Sequence, residues 1–159
     1  MNCELLAVGT ELLLGEIANT DGQMIAQGLS EHGINVYWQT VVGDNPGRLR
    51  QALDIARSRA DIIITTGGLG PTADDLTKET VAAAFGKKLY TDPEQLARLK
   101  ERMGPRMTPN NLKQADLPEG CTVLENDWGT APGCAFAASG IHVIMLPGPP
   151  RECRPMFLY

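Results

Sequence analysis

The chain has 159 residues, the size of one domain, and at 43% hydrophobic it carries enough apolar side chains to fill a core, so two independent domains are not expected. With 19 acidic against 14 basic residues its formal net charge is −5, which argues against a basic nucleic-acid-binding face. The longest apolar runs, Ile62 to Ile64 and Ile141 to Leu146, fall far short of the roughly 20 residues that span a bilayer. The start, Met1-Asn2-Cys3-Glu4, has no basic region ahead of an apolar run, so a cytoplasmic protein with no membrane partner is expected. Cys3, Cys121, Cys134 and Cys153 form no CxxC pair, and the spacing predicts four reduced, mostly buried thiols.

Cys3 to Val8 is a short apolar run that reads as the first strand, ending in Gly9-Thr10-Glu11. Thr20 and Gln23 have capping-box spacing, and Met24, Ile25 and Leu29 then share one helical face up to Gly33. Val36 to Val42 reads as a second strand. It stops at Gly43-Asp44-Asn45-Pro46, where Asn45 suits a helix cap with Pro46 at the first helical position. The next helix keeps Leu49, Ala52, Leu53 and Ala56 on one stripe. Asp61 to Thr65 holds three consecutive isoleucines, the pattern of a strand covered on both faces and so of a parallel sheet. It runs into Gly67-Gly68-Leu69-Gly70-Pro71-Thr72.

A helix is predicted from near Asp75 and another from Asp92-Pro93-Glu94 to Gly104-Pro105. Met107 to Gln114 has no clear period. Thr122 to Leu124, Cys134 to Ala137 and Ile141 to Leu146 read as short strands, and Pro147-Gly148-Pro149-Pro150 turns into a last piece, Arg151 to Tyr159, that stops in mid-pattern as a fragment would. Alternating strands and helices predict a three-layer αβα sandwich with a mostly parallel sheet, whose strand ends share one rim where ligands bind.

Four strands end in glycine beside polar or constrained residues: Gly9-Thr10-Glu11, Gly43-Asp44-Asn45, Gly67 through Asp75, and Pro147 through Glu152. In a parallel sheet these loops converge. Gly67, Gly68 and Gly70 let backbone amides approach an anion, and a valine at Gly68 is expected to obstruct that cradle. The loop is neither GxGxxG nor a Walker A sequence, which disfavours dinucleotide dehydrogenases and P-loop enzymes. Glu11, Asp44, Asp74 and Asp75 would set carboxylates beside that anion, where unit charges ~4 Å apart interact by ~4 kcal/mol at an effective dielectric of 20. A divalent ion bridging carboxylates and phosphate removes the conflict, and Mg2+ suits an oxygen donor set better than zinc does.

Structural readings stand beside the functional ones. Thr72 and Asp75 also have capping-box spacing, and Asp44 is also an ordinary turn residue. Gly129-Thr130-Ala131-Pro132-Gly133 is a plain turn or a second backbone wall, and Asn110, Asn111 and Lys113 are a substrate loop or an ordinary connection. Arg151 and Glu152 read first as a solvated helix face, Trp38 and Trp128 as packing residues, and His32 as a helix-end cation. His142 sits inside a strand.

The motifs GTELLLG from Gly9, Asn19-Thr20, Val42 to Asn45, GGLGPTADD from Gly67, GTAPG from Gly129 and LPGPPRE from Leu146, in that order, resemble the N-terminal domain of the competence/damage-inducible CinA family. The resemblance runs from about Glu4 to Phe157. It implies a molybdopterin-binding-domain-like fold and a metal-dependent ADP-ribose pyrophosphatase giving AMP and ribose 5-phosphate. The nicotinamide-nucleotide amidase domain that often follows in that family is not among these residues. The resemblance maps the anion loop onto Gly67, Gly68 and Gly70 and two functional aspartates onto Asp44 and Asp75. The expected site is then Asp44 and Asp75 as catalytic residues and, with Asp74, as metal ligands. Substrate contacts are expected from Gly9, Thr10, Glu11, Gly67, Gly68, Leu69, Gly70, Pro71, Thr72, Gly129, Thr130, Gly148 and Pro149. Leu69 and Thr10-Glu11 replace the threonine and the Asp-Glu pair usual in molybdopterin enzymes. The expected partner is a small nucleotide, and like chains are expected to assemble as a dimer or trimer. Two classes stay open, a hydrolase and a non-catalytic molybdopterin- or nucleotide-binding module.

Overall fold

The computed structural model describes residues 1–158. Strand β1 (Asn2–Val8) is followed by a single turn, α1 (Thr10–Leu13), and by α2 (Thr20–Glu31), β2 (Asn35–Val42), α3 (Pro46–Arg57), β3 (Ile62–Thr66) and α4 (Thr77–Ala84). Next come β4 (Leu89–Thr91), α5 (Pro93–Met103), two 3-10 segments over Gly104–Arg106 and Pro109–Ala115, β5 (Asp116–Pro118), β6 (Thr122–Leu124), β7 (Gly133–Ala138), β8 (Ile141–Leu146) and α6 (Pro150–Leu158). Tyr159, the end of the expected terminal piece, lies outside the described residues.

Six strands form one sheet in the order β2-β1-β3-β8-β7-β6. The first four are mutually parallel, while β7 and β6 add antiparallel. The isoleucine run explains the layering, because successive strand residues face opposite sides. Ile63 packs with Leu49, Leu53 and Val81 of α3 and α4 on one face. Ile62 and Ile64 pack with Ile25, Leu29, Cys153 and Met156 of α2 and α6 on the other. This is the expected three-layer sandwich with a mostly parallel sheet.

Local chemistry sets the helix starts. Asn45 Oδ1 accepts from the Arg48 amide at 2.9 Å and Asp92 Oδ1 from the Gln95 amide at 2.9 Å, as their sequences predict. Two expected starts move. Asn19, one residue before the expected Thr20, caps α2 by accepting the Gly22 amide at 3.0 Å. Thr72 and Asp75 close a turn ahead of α4 instead of capping it, since α4 begins only at Thr77. All four cysteines are free thiols, with Cys3, Cys134 and Cys153 buried. No helix among the described residues is long and apolar enough to cross a membrane.

Candidate functional site

The four parallel strands β2, β1, β3 and β8 end on one rim, and the loops that leave them enclose a cleft of about 590 Å³. Of the expected site residues, Glu11, Asp44, Gly67, Gly68, Leu69, Gly70, Pro71, Thr72, Asp74, Asp75, Thr130, Gly148 and Pro149 line it.

Gly9, Thr10 and Gly129 do not line the cleft. The Gly9 amide is spent on the Val42 carbonyl at 2.9 Å. Thr10 instead braces Asp44: the Asp44 amide donates to Thr10 Oγ1 at 3.0 Å, and the Thr10 amide donates to Asp44 Oδ2 at 3.3 Å. Gly129 lies behind the wall, where its carbonyl accepts from the Arg102 guanidinium, and a Cβ there would fall 1.8 Å from Glu152 Oε1.

Two glycines of this loop are demanded by the fold itself. At Gly67, with φ +90°, a Cβ would stand 2.3 Å from the Val8 carbonyl oxygen, so the loop after β3 can cross the end of β1 only without a side chain. At Gly68, with φ +74°, a Cβ would meet Thr77 Oγ1 at 1.9 Å. A valine at Gly68 would therefore collide with the start of α4 and disturb folding, where obstruction of the anion cradle was expected. What the loop offers the cleft is its backbone. Among the described residues, the amides of Gly68, Leu69 and Gly70 donate to no protein acceptor. Three such donors in residues that line a cleft are available to an anionic ligand.

The side-chain charge of the cleft is one-sided. Glu11, Asp21, Asp44, Asp74, Asp75 and Glu152 line it, and among the described residues no lysine, arginine or histidine does. Asp75 Oδ2 accepts from the Thr72 amide at 2.9 Å and from the Thr72 hydroxyl at 2.7 Å. Asp44 Oδ2 accepts from Thr10, so each aspartate keeps Oδ1 without a protein donor among the described residues. No group of three or more His, Cys, Asp or Glu side chains among these residues stands ready to hold a metal. The donor set fits a divalent ion shared between one or two carboxylates and a ligand's phosphate oxygens, the usual arrangement for Mg2+, and does not fit an all-protein cage.

Asp21 and Lys78 escaped the sequence reading, while Glu152 and Lys113, which it singled out, take roles it does not show. Asp21, in the first turn of α2, is buried in the cleft wall; burial pushes its carboxyl up to about 6, and the neighbouring Cys153 thiol of α6 acts the other way. The same burial pushes the Cys153 thiol up to about 12. Glu152, expected on a solvated face, is buried and accepts from Asn126 Nδ2 at 2.8 Å. Lys113 Nζ donates to the carbonyls of Thr72 and Asp75, at 2.5 Å each, so the aperiodic stretch braces the Asp75 turn. Lys78 Nζ in turn donates to the Lys113 carbonyl at 2.7 Å. No sequence signal separates these residues from ordinary caps and loops. Trp128, read as a packing residue, is exposed, and Trp38 packs under the Arg59 guanidinium, which lies 4.1 Å from its ring centroid.

The family model described as probable molybdopterin binding domain matches residues 4–159. A CinA-like protein of Dictyoglomus turgidum is 56% identical over 160 residues, which cover 99% of this chain and 39% of that protein. The chain thus spans 38–39% of the length of the curated relatives it matches. A crystal structure of the protein CinA, of unknown function, from Thermoplasma acidophilum matches with a TM-score of 0.93 at 38% identity, over 99% of this chain and 94% of that one. The molybdopterin biosynthesis enzyme MoaB of Thermus thermophilus shares the fold, with a TM-score of 0.65 at 24% identity over 98% of this chain and 86% of that one. With one family model covering residues 4–159 and a CinA structure matched over nearly its whole length, the chain belongs to the probable molybdopterin binding domain family, on its CinA side.

Proposed function

We propose that the domain binds a nucleotide diphosphate in this cleft and hydrolyses its pyrophosphate bond with the help of a divalent ion, the substrate being ADP-ribose and the products AMP and ribose 5-phosphate. The observation that carries this reading is the pairing of unspent backbone donors at Gly68, Leu69 and Gly70 with a wall that has six carboxyl side chains and no basic one. Amides recognise the anion, yet bare carboxylates repel it, so the pair makes sense with a cation between them. A divalent ion bound there neutralises phosphate charge and supplies Lewis acidity.

The chain's own residues do the remainder. Gly68, Leu69 and Gly70 orient the phosphoryl oxygens, and Asp44 and Asp75 would hold the ion through carboxylates that each keep one oxygen without a protein donor among the described residues. Thr10 and Thr72 hold those two carboxylates in place. Water adds its oxygen to one phosphorus, the bridging oxygen leaves with the other, and one proton is released to solvent.

Kinetics on Asp75→Asn test this. The variant keeps the shape and one oxygen acceptor while losing the charge a divalent ion requires. Hydrolysis should fall by orders of magnitude with little change in melting temperature, and high divalent-ion concentration should restore part of it. Turnover close to that of the unaltered protein would exclude the role.

The alternative, a binding module without chemistry, is favoured by one observation. Both aspartates already serve the fold through Thr10 and Thr72, and no side-chain cluster holds a metal by itself among the described residues. It predicts that ADP-ribose or a pterin ligand binds unchanged and is recovered intact.

A further inference from the structure

Thr108 opens the 3-10 segment that runs through Ala115, and its backbone N–H donates to Asn111 Oδ1 at 2.9 Å. A backbone N–H can only donate, so the sense of everything downstream is determined. With Oδ1 occupied by Thr108, Asn111 turns Nδ2 to Gln114 Oε1 at 3.1 Å. Gln114 must then turn Nε2 outward, and it donates to Thr130 Oγ1 at 2.9 Å. Asn111 and Gln114 are 6% and 2% exposed, so neither amide can exchange its partner for water cheaply. The relay ends at a hydroxyl on the cleft wall. Thr130 Oγ1 is an acceptor in this chain and a donor to nothing among the described residues, which leaves its proton for a ligand.

From this polarity we infer that Thr130 is a fixed hydrogen-bond donor to a phosphoryl oxygen of the bound ligand, and that Asn111 and Gln114 are positioning residues that keep it a donor. The inference deepens the nucleotide-diphosphate reading and rests on it for the choice of ligand group. A phosphoryl oxygen only accepts, so it matches a hydroxyl whose acceptor side is already taken. The wall itself is held from behind, because the Arg102 guanidinium binds the carbonyls of Asn126, Asp127 and Gly129. Gln114 therefore acts on the sense of the Thr130 hydroxyl, while Arg102 sets where the wall stands.

The test measures affinity for two probes, inorganic pyrophosphate and ADP-ribose, each with Mg2+, by calorimetry on the folded protein. Thr130→Val is isosteric and removes the donor, and Thr130→Ser keeps it. Gln114→Glu keeps the shape and presents an acceptor, so the Thr130 proton turns inward. Thr130→Val and Gln114→Glu should each weaken both probes about tenfold or more, the scale of a hydrogen bond to a charged group. Thr130→Ser should retain most of the affinity, and the double variant Gln114→Glu/Thr130→Val should bind no worse than Thr130→Val alone. KM for ADP-ribose should rise in the same variants.

Unchanged affinity in Thr130→Val overturns the donor role, and this single variant, on a half-buried side chain, decides it even where Gln114→Glu does not fold. A double variant that loses the product of both effects overturns the positioning role of Gln114. Pyrophosphate binding with the expected pattern, but no ADP-ribose binding, supports the donor role and overturns the substrate reading. No binding of either probe to the unaltered protein overturns both.

Discussion

Thr10 and Asp44 hold one another across the ends of β1 and β2, each backbone amide donating to the other's side chain at 3.3 and 3.0 Å. The pairing converts a turn residue into an aimed carboxylate, with Oδ2 tied and Oδ1 left over. Asp44→Asn can keep both contacts, because the amide oxygen still accepts from Thr10. Its stability should stay within about 1 kcal/mol of the unaltered protein while hydrolysis falls at least a hundredfold. Thermal unfolding and turnover on the same sample check this, and a fall in stability that accounts for the lost activity would contradict it.

If Asp44 and Asp75 serve one ion, their losses are not independent. The double variant Asp44→Asn/Asp75→Asn should cost much less than the product of the single losses. Full multiplicativity, measured in kcat/KM, would assign them to separate tasks.

Lys113 braces the Asp75 turn through the carbonyls of Thr72 and Asp75, so it acts on Asp75 without lining the cleft. Lys113→Met removes both donors and should lower kcat about tenfold or more, with a smaller change in KM. Lys113→Arg should recover part of the loss. An equal effect of both substitutions on KM alone would mean that Lys113 contacts the ligand.

Asp21 gives the fold a pH dependence of defined sign. Its carboxyl, raised by burial from 3.8 to about 6, holds its proton more tightly folded than unfolded. The folded state therefore binds more protons between those values, and stability from this group is complete below about 4 and lost as pH rises through about 6. Asp21→Asn should abolish that loss and so stabilise the protein more at pH 7 than at pH 4.5. Denaturant unfolding at pH 4.5 and 7 measures it, and an equal shift at both pH values would contradict it.

The convergence of the loops was legible because it follows from two coarse signals, the buried isoleucine run of β3 and a glycine at each strand end. Helix caps at Asn45 and Asp92 were legible because each stands directly before a proline, which suits the first helical position. Other parts left no period to read. Strands β4 and β5 are three residues each and pair only with one another, Leu89 with Pro118 through Thr91 with Asp116. Asn111, Lys113 and Gln114 lie in a 3-10 segment whose work is done by side chains reaching across space. At Gly68 the sequence shows a glycine suited to an anion loop, and only the folded chain shows Thr77 where a side chain would go.

We propose that this cleft cleaves a pyrophosphate bond with the help of a divalent ion. Incubating the purified domain with ADP-ribose and Mg2+, and resolving the products chromatographically, tests it most directly. AMP and ribose 5-phosphate should form in equal amounts, with formation abolished by a chelator and restored by added Mg2+. Intact ADP-ribose under saturating metal, with the ligand demonstrably bound, would contradict it.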